Sequence, residues 1–235
     1  MGRTANPRRA WLWRIAAALL LAALLAGGWL WWDMQHWTPP ESEYPDQGVL
    51  VSGNSGPVQF AALAAQGAGF AYIETSGGDA RRNTAFTAQR KQAILAGLQV
   101  GAVHRFDPCR PADSQSANFV TSVPRSADML PPALSLEMTT DSCEGDDVSD
   151  AMVQSELMTL ANQMEIHAER PVILKIAPEF DRRYPFAARI ERSLWVTRTR
   201  LAPTYAGRPW LLWTANEALA TDAAEAPVGW VVVQP

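Results

Sequence analysis

Apolar runs typical of β-strands alternate with stretches of helical periodicity over most of the chain. The apolar runs are hydrophobic at nearly every position, as expected for strands buried on both faces of a parallel sheet. The pattern predicts strands at 48–52, 69–75, 98–106, 133–137, 171–176, 193–197, 210–213 and 228–233. It predicts helices at 58–66, 84–96, 114–123 and 148–168. This alternation favours an α/β fold in which the strands close into a TIM-like β/α barrel. The barrel should be irregular, because little helix separates the last three strands.

The N-terminal region has a different pattern. Ile15–Trp32 contains no charged residue, and about 18–20 apolar residues are enough to cross a bilayer as a helix. Arg3, Arg8, Arg9 and Arg14 precede this run. Basic flanks remain in the cytoplasm, so the rest of the chain should be exported. A cleaved signal peptide has the same basic start and apolar core, but the run has no clear A-x-A cleavage site after it, which favours an uncleaved anchor.

The sequence therefore predicts four segments. They are a cytoplasmic basic segment (1–14), a transmembrane anchor (15–32), a polar linker (33–46) and a barrel domain (47–235). We expect a single-pass protein of the inner membrane with its barrel on the periplasmic side. Four of the 20 basic side chains but none of the 24 acidic ones precede Trp32, which leaves a net charge of −8 on the exported part. That charge argues against nucleic acid or anionic lipid as the main partner of the barrel.

Polar residues at the ends of the predicted strands are the candidates for chemistry, because β/α barrels carry their active sites at the C-terminal ends of the strands. The candidates are Ser52, Glu74, Thr75, His104, Asp107, Glu137, Lys175, Glu179, Arg198 and Asn216. Alternation along the fourth strand places Ser135 and Glu137 on the same face. A carboxyl at an apolar barrel mouth is partly desolvated, which raises its pKa and makes it a usable proton donor. The alternative for Glu137 is a solvated loop glutamate.

Other kinds of site have weak support. The three histidines lack ligand-like spacing, and no phosphate- or dinucleotide-binding glycine pattern occurs, so we expect neither a metal nor a cofactor. His104 either binds substrate or is a satisfied histidine inside the barrel. Cys109 and Cys143 follow the third and fourth strands, so they should lie at the same mouth. In an oxidising compartment they are expected to form a disulfide rather than remain free thiols.

Several segments together resemble glycoside hydrolase family 25, the lysozymes of the Chalaropsis type. GVLVSGNSGPVQF (48–60) is similar to the family's first strand and helix, and GAGFAYIETSGG (67–78) to its second strand. AGLQVGAVHRFDP (96–108) and MLPPALSLE (129–137) are similar to the third and fourth strands. The resemblance implies an irregular eight-stranded β/α barrel that hydrolyses the β-1,4 bond between N-acetylmuramic acid and N-acetylglucosamine. It also implies that Glu137 occupies the position of the family's acid.

The chain departs from the family pattern at several acidic positions. Leu50 stands where the family has an aspartate on the first strand, and Ser135 replaces the aspartate of its Asp-x-Glu motif. Glu74 stands where a basic residue is usual, and the aspartate of the final strand has no counterpart. Glycoside hydrolysis normally uses two acidic groups, so a second group must be supplied from elsewhere.

Two interpretations follow. In the first, the protein is a membrane-anchored peptidoglycan hydrolase with Glu137 as general acid and Glu74 or Asp107 as its relocated partner. His104, Ser135, Trp195 and Trp213 would then contribute to substrate binding. In the second, the barrel is inactive and binds cell-wall glycan or a protein partner. Packing inside the barrel is the alternative for Trp195 and Trp213, since buried aromatic rings commonly serve cores.

Overall fold

The computed structural model describes residues 7–143 and 148–235. The chain forms two compact units, residues 1–37 and 38–235. The first unit consists of helix α1 (Pro7–His36), which contains the predicted span. Its segment Trp11–His36 is long and apolar enough to cross a membrane, a property that it shares with N-terminal signal sequences. The helix thus continues into the region predicted as linker.

The second unit is a closed barrel of eight strands, which confirms the predicted fold. The strands of the unit are β1 (Gln47–Val51), β2 (Phe70–Gly77), β3 (Arg81–Arg82), β4 (Gln99–Arg105), β5 (Ala133–Leu136), β6 (Ile173–Ile176), β7 (Ser193–Thr197), β8 (Leu212–Leu219) and β9 (Val228–Val233). Around the barrel the order is β1-β9-β8-β7-β6-β5-β4-β2, and pairing of β1 with β2 closes the ring. The two-residue strand β3 forms a short antiparallel extension of β2 outside the ring.

The last barrel strand runs against its neighbours. From β1 to β8 all barrel pairs are parallel, whereas β9 is antiparallel to both β8 and β1. The prediction of a parallel sheet was therefore wrong for β9. A parallel return needs a crossover of about a dozen residues or more, usually a helix, and the short connection 220–227 consists of turns and loop.

Helices cover the outside of the barrel between the parallel strands. They are α2 (Phe60–Ala65), α3 (Phe86–Leu95), α4 (Ala112–Ser122), α5 (Asp150–Ala168) and α6 (Pro178–Arg183). The first four lie where helical periodicity predicted them. Helix α5 begins where the Ser149 hydroxyl accepts a hydrogen bond from the Met152 amide, an N-cap that satisfies a free backbone donor. Helix α6 was not predicted, because Phe180 is the one buried apolar side chain in its six residues and the segment shows no apolar period.

The N-terminal half of the barrel interior is filled by large side chains. Phe70, Tyr72 and Trp195 belong to one buried cluster, and the Trp195 indole donates a hydrogen bond to the Thr214 hydroxyl at 2.8 Å. Gly101 makes room for this packing, because a Cβ there would lie 2.2 Å from the Tyr72 ring. A cavity of about 570 Å³ lies outside this packing at the N-terminal ends of the strands, against Phe70 and Tyr72. A second cavity, which collects several charged side chains, opens at the C-terminal ends.

Candidate functional site

A groove of about 400 Å³ opens at the C-terminal ends of the barrel strands. Its lining includes Ser52 after β1, Glu74 in β2, Glu137 directly after β5, Lys175 in β6 and Glu179 in α6. All five are among the strand-end candidates from the sequence. The groove therefore collects polar side chains from β1, β2, β5, β6 and α6 at one barrel mouth.

Glu137 has polar partners on both carboxylate oxygens. Its Oε1 accepts hydrogen bonds from Lys175 Nζ at 2.6 Å and from Ser135 Oγ at 2.7 Å. An Arg105 guanidinium nitrogen lies 3.4 Å from Oε2. These partners share one row across the sheet, since Arg105 pairs with Ser135 and Ser135 pairs with Lys175 in the strand register. The row orients the carboxylate toward the groove.

The pKa of Glu137 corrects a sequence-based expectation. Burial alone raises it, but the Lys175 charge, the hydrogen bonds from Lys175 and Ser135, and the Arg105 charge outweigh burial and lower the pKa to about 2. The expected rise was wrong because apolar flanking residues do not reveal a cation on the next strand. Glu137 is therefore an ionised carboxylate at neutral pH.

Glu74 is the second groove carboxylate, and it is tied to the loop after β1. Its Oε2 accepts hydrogen bonds from the Gly53 amide at 3.1 Å, the Ser52 hydroxyl at 3.3 Å and Arg81 at 3.4 Å. Only 12 % of its side chain is exposed. These contacts fix the loop and one edge of the groove.

Asp107 and His104 lie away from the groove. Asp107 Oδ1 accepts the Cys109 amide at 2.9 Å, so this carboxylate shapes the loop before the disulfide. His104 is fully buried, with Nδ1 2.8 Å from the Ser76 hydroxyl and its ring edge-on to Phe119. Burial lowers the pKa of His104 to about 4. The expectation that His104 binds substrate was wrong, because its ring is buried beneath α4.

The tryptophans predicted to stack on sugar are buried as well. Trp195 is 0 % exposed and Trp213 is 2 % exposed. The Trp213 indole donates to the Arg198 carbonyl at 2.8 Å, and its ring packs edge-on against Tyr44 and Trp210. Both side chains are packing residues, so their predicted role in stacking was wrong. Ser135 is 1 % exposed and hydrogen-bonds Glu137 instead of lining the groove.

The structure joins Cys109 and Cys143 in a disulfide with a Cα–Cα distance of 5.4 Å. The bond links the loop after β4 to the loop after β5, next to the segment that carries Glu137. Among the described residues, no group of His, Cys, Asp and Glu side chains is arranged to hold a metal ion.

Sequence reasoning missed that two cations, Lys175 and Arg105, contact Glu137. Lys175 was a strand-end candidate, but its pairing with Glu137 and the contribution of Arg105 were not predicted. A signal was present, since Lys175 is the one charged residue in the apolar run PVILKI (171–176). A lysine is almost never buried unless it is paired, so such a residue indicates an acidic partner inside the barrel.

The family assignment follows from sequence comparison. The family model described as "Glycosyl hydrolases family 25" matches residues 49–218, which is more than half of the chain. The chain belongs to this family. The matched range runs from β1 to the end of β8 and includes Glu137, Lys175 and Glu74. The family comprises glycoside hydrolases. A search of curated proteins found no match.

Solved structures of family 25 proteins share the fold. A family 25 glycosyl hydrolase from Bacillus anthracis matches with a TM-score of 0.74 and 22 % identity, over 86 % of this chain and 93 % of that one. The bacterial lysozyme from Streptomyces coelicolor has a TM-score of 0.69 and 19 % identity, over 81 % and 92 %. A muramidase from Acremonium alcalophilum has a TM-score of 0.67 and 19 % identity, over 81 % of this chain and 94 % of that one. At these identities the likeness concerns the fold.

Proposed function

We propose that the barrel is a lysozyme-type hydrolase that cleaves β-1,4 bonds in the glycan strands of peptidoglycan, with Glu137 as general acid. The observation that carries this proposal is the placement of an oriented carboxylate in the mouth groove of a family 25 barrel. The lysozyme and muramidase relatives support peptidoglycan as the substrate class. Protonated Glu137 would give its proton to the glycosidic oxygen as the C–O bond breaks, and water would complete the hydrolysis.

The proposed acid must gain a proton before it can act. With a pKa of about 2, roughly one Glu137 in 10⁵ is protonated at pH 7. The proposal therefore implies slow hydrolysis at neutral pH and faster hydrolysis in acid. Glu74 is the proposed second carboxylate, since it lines the same groove and is held in place by Ser52 and Gly53. There it would position a substrate acetamide or a water molecule. Asp107 lies off the groove and has no part in the proposed reaction.

The proposal includes a single-pass anchor. Helix α1 would hold the protein in the inner membrane, with the barrel on the periplasmic side where peptidoglycan lies. The apolar stretch Trp11–His36 and the arginines that precede it support this arrangement.

Binding of glycan without cleavage is the second candidate. It is favoured by Leu50, which lines the groove where the family resemblance leads one to expect an aspartate, and by Ser135, which replaces the aspartate of Asp-x-Glu. In this second candidate function the groove still binds a glycan strand. The scissile glycosidic bond, however, has no efficient proton donor beside it.

The experiment uses the full chain in detergent and purified insoluble peptidoglycan. Soluble products are identified by mass spectrometry, and sedimentation with the wall measures binding. At pH 4, where a larger fraction of Glu137 is protonated than at pH 7, we expect wild type to release fragments with new reducing ends. Glu137→Gln should lose most of that release while still sedimenting, because an amide does not act as a general acid. Glu179→Gln, a matched charge change in the same groove, should remain active. Sedimentation without release by wild type would favour the second candidate, and neither binding nor release would contradict both.

A further inference from the structure

Glu137 and Lys175 form the ion pair with the shortest distance in the groove. The lysine of this pair is buried inside the barrel. Lys175 Nζ lies 2.6 Å from Glu137 Oε1 and 3.4 Å from Ser135 Oγ. Only 8 % of the Lys175 side chain is exposed, against 33 % of the Glu137 side chain. A charge so buried requires a partner, because an unpaired ammonium in this position would be strongly destabilising. Glu137 is that partner.

We infer that Lys175 is a positioning residue that holds the Glu137 carboxylate in an ion pair and thereby restrains its proton donation to the glycan. This inference rests on the proposed function for its catalytic consequence. Lys175 itself makes and breaks no bond. The proton that reaches the glycosidic oxygen comes from solvent by way of Glu137, and Lys175 opposes its uptake by stabilising the ionised form.

The remaining charges near Glu137 act more weakly on it. From β4, Arg105 approaches Oε2 at 3.4 Å with 31 % of its side chain exposed, so water screens it more than Lys175. Three further carboxylates line the groove from β2, α6 and β8, namely Glu74, Glu179 and Glu217. None of these three carboxylates is among the causes of the Glu137 pKa shift, which are burial, Lys175, Ser135 and Arg105. Among the described lining residues Lys175 is the one cation, so its removal leaves only Arg105 and Ser135 to oppose the effect of burial on Glu137.

Substitution of Lys175 by an uncharged residue should therefore make proton uptake by Glu137 easier. Lys175→Met keeps a long unbranched side chain without charge, and Lys175→Gln keeps hydrogen-bonding capacity without charge. In both, we expect the Glu137 pKa to rise by at least about one pH unit, because desolvation of the carboxyl is no longer offset by a neighbouring ammonium. Lys175→Arg is the matched control that keeps the charge, and it should leave the titration near that of wild type.

The test measures the titration of Glu137 directly. The full chain is produced in detergent with glutamate labelled by ¹³C at the side-chain carboxyl, and Glu137→Gln identifies the Glu137 signal by its loss. Wild-type Glu137 should titrate at least about one unit below the ordinary glutamate range, and Lys175→Met should move it up by at least that amount. An unchanged titration in both uncharged variants would overturn the inference. If neither variant folds, the Glu137 titration in the wild-type protein is the test. A Glu137 pKa in the ordinary range would overturn the inference, and a depressed pKa would support it.

Activity on purified peptidoglycan separates this inference from the proposed function. A raised Glu137 pKa accompanied by at least about tenfold faster release of reducing ends near pH 6 would support both, since one pH unit is a tenfold change in protonation. A raised pKa with no release by wild type or variant would leave the ion-pair restraint standing and contradict the proposed hydrolysis. If Lys175 had only a structural role, Lys175→Arg and Lys175→Met would lower stability alike. The Glu137 pKa would then not differ between the charged and the uncharged variant.

Discussion

Glu137 and His104 both sit in partly or wholly apolar surroundings, and each has a lowered pKa for a different reason. For Glu137, Lys175 and Arg105 stabilise the charged form and outweigh burial. For His104, burial disfavours the charged form, and Arg81 adds to the effect. Glu137 is thus ionised at neutral pH while His104 is neutral. Side chains on the neighbouring strands therefore decide the proton affinity of Glu137, whereas burial decides that of His104.

His104 should make the barrel less stable in mild acid. An unfolded histidine takes up a proton near pH 6.5 and the folded one only near pH 4, so its stabilising effect is complete above pH 6.5 and declines toward pH 4. Between pH 7 and pH 5 we expect a loss of about 2 kcal/mol in unfolding free energy from this residue. Urea unfolding of residues 38–235 at both pH values measures it. His104→Gln is the comparison, and an equal pH dependence in the variant would contradict the assignment.

At the scale of elements, the apolar runs in the sequence predicted most of the fold. Seven of the eight barrel strands and the helices α2 to α5 lie where strand-like runs and helical periodicity predicted them. The observed β8 shares only residues 212 and 213 with the predicted strand 210–213. The direction of β9 depends on the length and form of the connection 220–227, which hydrophobic pattern does not encode. Helix α6 has one buried apolar side chain, Phe180, and so shows no apolar period. These misses have local causes and leave the barrel unchanged.

The site was only partly predictable because it depends on register between strands. Alternation along β5 placed Ser135 and Glu137 on one face, as their hydrogen bond shows. The pairing of Ser135 with Lys175 and of Ser135 with Arg105 arises from the offsets of β6 and β4 against β5. A single sequence does not specify those offsets. For the same reason Trp195 was assigned to the groove, although its position in β7 directs it into the core.

The disulfide should stabilise the rim that carries Glu137. It closes a loop with a sequence separation of 34 residues. By the loop-entropy relation, removal of such a bond costs about 3–4 kcal/mol. We expect the double variant Cys109→Ser, Cys143→Ser to unfold at a correspondingly lower urea concentration. Wild type treated with reductant should behave like the variant, and an unchanged midpoint in both would contradict this expectation.

At the scale of the whole molecule, the chain combines one long apolar helix with an acidic, compact barrel domain. Of the described residues, only α1 has the length and composition to cross a membrane. Four arginines precede the uncharged run Ile15–Trp32, and all acidic residues follow Trp32. That asymmetry favours export of the barrel.

Membrane attachment can be tested without any assumption about activity. We expect the full chain to remain in the membrane pellet after alkaline extraction, because an uncleaved apolar helix is held by the bilayer core. A chain with Leu20→Arg and Leu24→Arg should be released or fail to insert, since a charge at the bilayer centre is costly. A C-terminal alkaline phosphatase fusion should be active, as on the periplasmic side. Release of a shortened wild-type chain would indicate a cleaved signal sequence instead.

The most direct measurement for the account is the rate at which purified peptidoglycan gains reducing ends from pH 7 to pH 4. With a Glu137 pKa of about 2, wild-type kcat/KM should rise about tenfold for each unit of falling pH, because the protonated fraction rises by that factor. Glu137→Gln should show no such rise. Equal rates in wild type and Glu137→Gln over this range would contradict the claim that Glu137 is the acid of this barrel.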